Sequence, residues 1–299
     1  LKKIFLTGGS GFLGQHLQVN LSQDYAMLAP TRQVLELSNS EAVDTYLEKN
    51  EGPDYILNAA NVGGKRNSVN SEQDCLYENL KVFRNIFQHK NRVKKFIQFG
   101  SGAEYSKPFH KRYVSEEDVG TYLPVAAYGL SKFLCGQALE NIGELGRCVN
   151  LRIFGIFGPN EDYQVRFISN AIVRSLFGLP IIVNQNAEFD YVYVTDFLKI
   201  VRHFIENNPP AYSYNITTGT PVTLIELAEL VKDITNNKHD LIIKNGTINQ
   251  SYSGSNERLK AFLPSHFQFT PIRQAISELI VWYESQLPLL DKERVLSAS

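Results

Sequence analysis

Short apolar runs alternate with amphipathic stretches through the first half of the chain. Ile4-Phe5-Leu6 after Lys2-Lys3 reads as a buried parallel strand. Gly8-Gly9-Ser10-Gly11-Phe12-Leu13-Gly14 then turns the chain into a helix that begins at Phe12. Residues 25–29 predict a second strand, and residues 40–49 a helix capped by Ser40, with Val43 and Leu47 on one face. Residues 54–60 form a strand ending in small residues, which leaves room for a ligand at its tip. A helix over residues 75–88 follows, with Leu76, Leu80, Phe83 and Phe87 as its core stripe. Residues 94–99 make a strand ending at Gly100-Ser101, residues 128–142 a helix, and residues 148–153 another strand. Strand and helix in this alternation predict an α/β fold with a doubly wound parallel sheet.

Past Gly158-Pro159-Asn160 the rhythm changes. Helices are expected over 167–177, 195–206, 223–234 and 272–284, with short strands at 191–194 and 212–216. This predicts a smaller, interleaved C-terminal substrate lobe. Residues 1–160 would bind a dinucleotide, with 192–216 returning to that domain, while 161–191 and 217–299 would form the substrate-binding lobe.

Gly9-x-Gly11-x-x-Gly14 satisfies the dinucleotide fingerprint in its strand–turn–helix setting, as in a Rossmann-type sheet. Missing Cβ atoms let the backbone approach a pyrophosphate, and the N–H groups at the helix start hold its charge. The second strand ends at Pro30-Thr31-Arg32 with no acid at its tip. An acid there would bind a ribose 2′-hydroxyl, whereas Arg32 suits a 2′-phosphate, so NADP(H) is favoured over NAD(H).

Tyr128 and Lys132 stand four apart on one helix face. An ammonium beside a phenol stabilises the phenolate and readies it to exchange protons. The spacing alone is weak, since about one such pair is expected by chance and Tyr77-x-x-x-Lys81 is a second match. Ser101 discriminates: it ends a strand one step before Tyr128, and its hydroxyl can donate to an oxygen gaining charge.

Together, Gly8-x-x-Gly11-x-x-Gly14, Asn58-Ala59-Ala60, Ser101 and Tyr128-x-x-x-Lys132 resemble the extended short-chain dehydrogenase/reductases. Further matches run from Leu151 to Pro159, from Phe189 to Asp196, and over Tyr214-Asn215-Ile216. The resemblance implies an NAD(P)-dependent enzyme acting on a nucleotide-diphosphate sugar, as a C4 reductase or alternatively a C4-epimerase holding NAD tightly. A non-catalytic cofactor-binding regulator is the third reading. Thr31-Arg32 and the segment Ala59-Ala60-Asn61-Val62-Gly63-Gly64 lean towards the GDP-fucose synthase branch. The resemblance gives Tyr128 the proton transfer, Ser101 a hydrogen bond to the same oxygen, and Lys132 the support of Tyr128 and of the nicotinamide ribose. It places Phe12 and Leu13 in the cofactor turn and Asn58, Ala59 and Ala60 against the cofactor, has Asn79 order the helix beside it, and has Phe154 to Ile156 line the nicotinamide. Arg166 and Arg174, eight apart on one helix, and more weakly Arg258, become candidates for the substrate diphosphate. A homodimer through paired helices is implied as well.

Several positions depart from the pattern. Phe189 replaces an arginine that contacts substrate phosphates in relatives, and Gly155 replaces an asparagine. Dehydratases follow the catalytic hydroxyl with Asp and Glu, where this chain has Gly102 and Ala103. Fucose synthases use a Cys at the Ala103 position and a His near Arg166, so C3/C5 epimerisation is not expected.

The 299 residues carry a net charge of −1, which gives no electrostatic basis for binding nucleic acid or an anionic membrane. Cys75, Cys135 and Cys148 lack metal or disulfide spacing, and His110 and the other histidines lack ligand spacing. The glycines stop the first apolar run too early for a signal peptide, so a cytoplasmic protein without metal is expected.

Overall fold

The computed structural model describes residues 1–62, 72–106 and 112–297. Gly63, Gly64 and His110, named above, lie outside the described residues.

The first half builds β1 (Lys3–Thr7), α1 (Phe12–Leu21), β2 (Ala26–Leu28), α2 (Ser40–Lys49), β3 (Tyr55–Asn58), α3 (Glu72–Phe87), β4 (Lys95–Ser101), α4 (Ala127–Ile142) and β5 (Cys148–Ile153). The second half adds β6 (Gly155–Phe157), α5 (Phe167–Leu176), β7 (Ile182–Val183), β8 (Glu188–Phe189), β9 (Tyr191–Tyr193), α6 (Val194–Glu206) and β10 (Ser213–Ile216). It ends with β11 (Val222–Thr223), α7 (Leu224–Ile234), β12 (Ile242–Ile243), β13 (Ser251–Tyr252), α8 (Glu257–Phe262), α9 (Ile272–Gln286) and α10 (Lys292–Ser297).

Six strands make one parallel sheet in the order β2-β1-β3-β4-β5-β10. Chain order reverses on either side of β1, so the crevice where α/β sheets take ligands lies over the carboxyl ends of β1 and β3. Alternate residues of each strand face opposite layers. Ile4, Leu6, Leu57, Ile97 and Phe99 pack with Leu17 and Leu21 of α1 and with Phe197, Val201 and Phe204 of α6. Phe5, Ile56 and Phe96 pack instead with Val43 and Leu47 of α2, Phe83 and Phe87 of α3, and Leu139 of α4. Both faces are thus covered, which explains why the strands read as continuous apolar runs.

A separate core joins α5, α7 and α9 through Ile172, Leu227, Val231, Ile276 and Leu279. Around it lie small sheets: β6 beside β9, β7 beside β12, and β8 between β11 and β13. Strands of two or three residues are too short to show a period, and the hydrophobic pattern does not reveal most of them.

Two expected boundaries move for local reasons. Asn39, not Ser40, caps α2, its side chain accepting the Ala42 N–H at 3.1 Å. The strand expected over 54–60 stops at Asn58, because the Ala60 N–H turns to the Thr7 hydroxyl at 3.1 Å.

Candidate active site

The turn between β1 and α1 is built for close approach. Gly8 has φ of +69°, and a Cβ there would lie 2.8 Å from the carbonyl of Ala59. A Cβ on Gly14 would lie 2.1 Å from the Gly8 carbonyl oxygen, so only glycine lets α1 start against the turn. No side chain caps α1 at Gly11, and its first turn holds no acid. Its N-terminal N–H groups therefore suit a pyrophosphate, with Phe12 and Leu13 partly buried against the core.

Asn58 is held by its strand neighbours. Its side chain is 2% exposed, accepting from Thr7 Oγ1 at 2.6 Å and donating to Gln98 Oε1 at 2.7 Å. It ties β1, β3 and β4 together below the crevice, leaving Ala59 and Ala60 at the strand end as the small surface above. Asn79 clasps both backbone groups of Val62 at 2.8 Å, fixing the loop that follows β3.

Arg32 stands beyond the end of β2 with its side chain 83% exposed, and its Nε is 2.8 Å from Glu36 Oε2. An exposed cation at this strand tip is available to a 2′-phosphate. The turn, the unblocked helix start and Arg32 together fit a dinucleotide with its adenosine ribose towards β2.

Ser101 ends β4 and is 7% exposed. It caps the short turn Gly102–Glu104: its Oγ accepts the Ala103 N–H at 3.1 Å, and its own N–H donates to Glu104 Oε1 at 3.0 Å. Glu104 and Arg152 are both fully buried, with Arg152 Nε 2.7 Å from Glu104 Oε2. Arg152 also donates to Ser213 at 2.9 Å and Glu140 at 2.7 Å. Burial would lower the affinity of this guanidinium for its proton, but Glu104, Tyr105 and Glu140 override that and raise its pKa. A buried ion network thus sets the base on which the Ser101 turn rests.

Tyr128 and Lys132 lie in the first turns of α4, beside that turn. Lys132 is 6% exposed; its Nζ donates to the Phe99 carbonyl at 2.8 Å and sits 5.9 Å from the centre of the Tyr128 ring. The competing pair lies elsewhere: Tyr77 is 64% exposed, with Lys81 over its ring on the outside of α3.

Phe154, just after β5, is buried against Tyr252, with ring centres 5.0 Å apart, while Ile156 in β6 pairs with Val192. At Gly155, a Cβ would lie 2.8 Å from the Tyr191 ring, so this aromatic side chain fills the space beside the glycine.

The three candidate arginines separate. Arg166 stands at the N-cap position of α5 without a capping hydrogen bond, its side chain 61% exposed and its Nε 4.0 Å from Glu161. Arg174 is 4% exposed and donates to the carbonyls of Pro180 at 2.7 Å and Val295 at 3.2 Å. Arg258 donates to the Ser213 carbonyl at 3.0 Å and pairs with Glu117. The expectation that Arg174 binds a diphosphate is therefore corrected, since its buried guanidinium is taken up by backbone carbonyls; Arg258 is partly exposed and engaged by Ser213 and Glu117.

Two residues escaped the sequence reading. Tyr252 of β13 packs between Phe154 and Phe189, with its hydroxyl over Gly102, where a Cβ would lie 2.7 Å from it. Glu161 is 7% exposed, accepts from Ser169 at 2.7 Å, and is pushed by burial up to about 7. Among the described residues no cluster of ligating side chains could hold a metal, and no helix is long and apolar enough to cross a membrane.

A dinucleotide turn at the switch point, with serine, tyrosine and lysine over the same sheet edge, defines an NAD(P)-dependent oxidoreductase of the short-chain class. The family model for the NAD dependent epimerase/dehydratase family matches residues 4–217, and the chain belongs to that family. Among curated relatives it is similar to GDP-L-fucose synthase of Escherichia coli K12, 24% identical over 263 residues (78% of this chain, 81% of the relative). It is also similar to dTDP-4-dehydro-6-deoxyglucose reductase of Escherichia coli, 30% identical over 183 residues (56% of this chain, 55% of the relative). Among solved structures, a GDP-mannoheptose C4 reductase of Campylobacter jejuni with NADP bound superposes with a TM-score of 0.80 at 20% identity (95% of this chain, 98% of the other). The UDP-glucose 4-epimerase of Thermotoga maritima also gives 0.80, at 19% identity (95% and 99%).

Proposed function

We propose that this enzyme uses NADPH to reduce the 4-ketone of a nucleotide-activated sugar, without eliminating water and without epimerising C3 or C5. The observation that carries this reading is the placement of Ser101 at the tip of β4, ahead of α4 with Tyr128 and Lys132, followed by Gly102 and Ala103, neither of which carries a group that moves a proton. The names of its relatives support the substrate class, since they include fucose synthases and a dTDP-linked 4-keto sugar reductase.

When bound, the reduced dinucleotide supplies a hydride to the carbonyl carbon. Tyr128 gives its phenolic proton to the oxygen as that oxygen gains charge, and Lys132 steadies the phenolate left behind. Ser101 donates a hydrogen bond to the same oxygen. Ketone, hydride and proton together make the alcohol. Arg32 would take the 2′-phosphate. Arg166, exposed where Arg174 and Arg258 are engaged, is the remaining candidate for the substrate diphosphate. In this reading residues 1–160 and 192–216 hold the dinucleotide, and residues 161–191 and 217–299 cover the sugar.

The test is oxidation of NADPH, followed at 340 nm, with dTDP-4-dehydro-6-deoxyglucose and its GDP-linked 4-keto-6-deoxyhexose counterpart. Turnover of either supports the reading. Tightly held NAD in the purified protein, with no net NADPH oxidation, replaces it with a C4-epimerase.

A further inference from the structure

Glu104 closes the Ser101 turn, and its carboxylate meets donors. Oε1 accepts the Ser101 N–H at 3.0 Å, while Asn150 Nδ2 reaches Oε1 at 3.2 Å and Oε2 at 3.0 Å. Arg152 Nε donates to Oε2 at 2.7 Å. Two glycines make the slot in which the carboxylate lies. A Cβ on Gly100 would strike Oε1, and one on Gly136 would lie 2.9 Å from Oε2 and 2.7 Å from Asn150 Nδ2. A third, Gly129, lets α4 approach the turn itself: a Cβ there would lie 2.5 Å from the Ala103 carbonyl oxygen. Gly129 and Gly136 are seven apart, two turns along one face of α4, and Tyr128 adjoins the first of them.

Stability alone does not explain this setting. A buried ion pair is often matched or bettered by apolar side chains of similar volume. An apolar side chain at position 104, however, could not accept the Ser101 N–H. The geometry points to Glu104 as a positioning residue for the reaction: its carboxylate, seated between Gly100 and Gly136, fixes Ser101 and sets the Ser101 turn against the helix that carries Tyr128. This inference rests on the reading of Ser101 as the group that binds the reacting oxygen.

Two sets of contacts do the positioning. Within the turn, the Glu104 carboxylate holds the Ser101 N–H while the Ser101 hydroxyl accepts the Ala103 N–H at 3.1 Å. A serine hydroxyl has one proton and two lone pairs, so this contact orients the oxygen and leaves the proton to be given. Beyond the turn, Arg152 carries the connection across to α4, since the guanidinium that bonds Glu104 also donates to Glu140 at 2.7 Å. Glu140 lies on the same helix as Tyr128. Ser101 and Tyr128 act on one oxygen, so their mutual placement decides how well both reach it.

Glu104→Met keeps the length of the side chain and removes the acceptor. Its kcat with whichever of the two 4-keto sugars above is turned over should fall about tenfold, less than the roughly 10²–10³-fold cost of losing a donor to a charged oxygen outright. KM and the Kd for NADPH should stay within about twofold. Glu104→Gln, which again offers an acceptor to the Ser101 N–H, should restore most of the rate. Because Glu104 acts through Ser101, Glu104→Met combined with Ser101→Ala should be no slower than Ser101→Ala alone. Gly136→Ala is the second variant: it favours the helix yet pushes the carboxylate aside, and should show the same loss. A Glu104→Met enzyme within about twofold of wild type overturns the proposal, or a Gly136→Ala enzyme within that range where Glu104→Met does not fold. A Gln variant as slow as the Met variant overturns it too, and so does a further loss of about tenfold in the double variant. Another measurement needs no substrate. With serine labelled at 15N, the amide resonance that disappears in Ser101→Ala should shift in Glu104→Met and in Gly136→Ala, and an unmoved resonance shows that the carboxylate does not hold Ser101. If wild type reduces neither sugar, the proposed function fails while the NMR arm still decides the contact.

Discussion

Glu104 Oε2 lies 2.7 Å from Arg152 Nε, and neither side chain is exposed to solvent. The pair joins the turn after β4 to the carboxyl end of β5, and the same carboxylate receives the Ser101 N–H at 3.0 Å. A charge left here without its partner would be costly, because hydrogen bonds from neutral neighbours do not replace the opposite charge in a site closed to water. Arg152→Met should therefore destabilise the fold by about 3–5 kcal/mol. Glu104→Gln, which retains an acceptor for the Ser101 N–H, should cost less. The urea midpoint checks both, and a loss below about 1 kcal/mol for Arg152→Met would show that the ion pair is not what supports the turn.

Tyr128→Phe should bind NADPH nearly as wild type does yet lose turnover by about 10²–10⁴-fold, because the ring stays and the transferable proton goes. Tyr77→Phe is the control, since Tyr77 stands exposed on α3 away from the sheet edge. Steady-state kinetics decide between them. A Tyr128→Phe enzyme within a few-fold of wild type would remove Tyr128 from the mechanism.

How far the site could be read from residues alone depended on how local each signal was. β1, its glycine turn and α1 occupy one continuous stretch, and Ser101, Tyr128 and Lys132 are marked by strand end and helical spacing. The arginines show the opposite case. Arg166 and Arg174 share a helical spacing, yet Arg166 is exposed at the N-cap of α5 while Arg174 is buried against the carbonyls of Pro180 and Val295. Those partners come from a loop and from α10, which no helical period announces. Tyr252 was hidden because it sits in a two-residue strand far along the chain. Gly102 was its one trace in the sequence, and a glycine does not say which side chain takes its space. Likewise the resemblance groups Asn58 with the cofactor-binding residues, and no local pattern announces the hydrogen bonds that its side chain makes to Thr7 and Gln98.

Arg32 should set the choice of dinucleotide. Arg32→Asp removes the cation and adds an acceptor for a 2′-hydroxyl, so the ratio of kcat/KM for NADPH to that for NADH should fall. Glu36 is hydrogen-bonded to Arg32 at 2.8 Å and competes for the same guanidinium. Glu36→Gln should therefore lower KM for NADPH. If neither change moves the ratio, Arg32 plays no part in cofactor choice.

Glu161 gives the protein a pH dependence. Burial raises its carboxyl from 4.5 to about 7, so the folded state holds this proton more tightly than the unfolded chain does. The stabilising contribution is complete below about pH 4.5 and is lost as pH rises towards 7. At 1.36 kcal/mol per pH unit it amounts to roughly 3 kcal/mol. Glu161→Gln cannot ionise and still offers an acceptor to Ser169, so it should exceed wild type in stability at pH 8 and match it near pH 4.5. Chemical denaturation at the two pH values measures this. Parallel curves would show that Glu161 does not titrate in this range.

Elimination needs an acid and a base beside the catalytic hydroxyl, and epimerisation at C3 or C5 needs groups that take and return a proton there. Gly102 and Ala103 follow Ser101, and neither can do so. Glu104 is the nearest carboxylate in sequence, but it is turned beneath the Ser101 turn and hydrogen-bonded to Ser101, Asn150 and Arg152. Arg166 stands where an epimerase would carry a histidine, and an arginine stays protonated and makes a poor shuttle. The 4-keto sugar should therefore be reduced at C4 alone. Turnover in D₂O, followed by NMR of the product, should show no deuterium at C3 or C5 beyond a control without enzyme. Enzyme-dependent deuterium at either carbon would mean that a proton is abstracted there, and Glu161, buried 4.0 Å from Arg166, would be the first group to replace in finding the base.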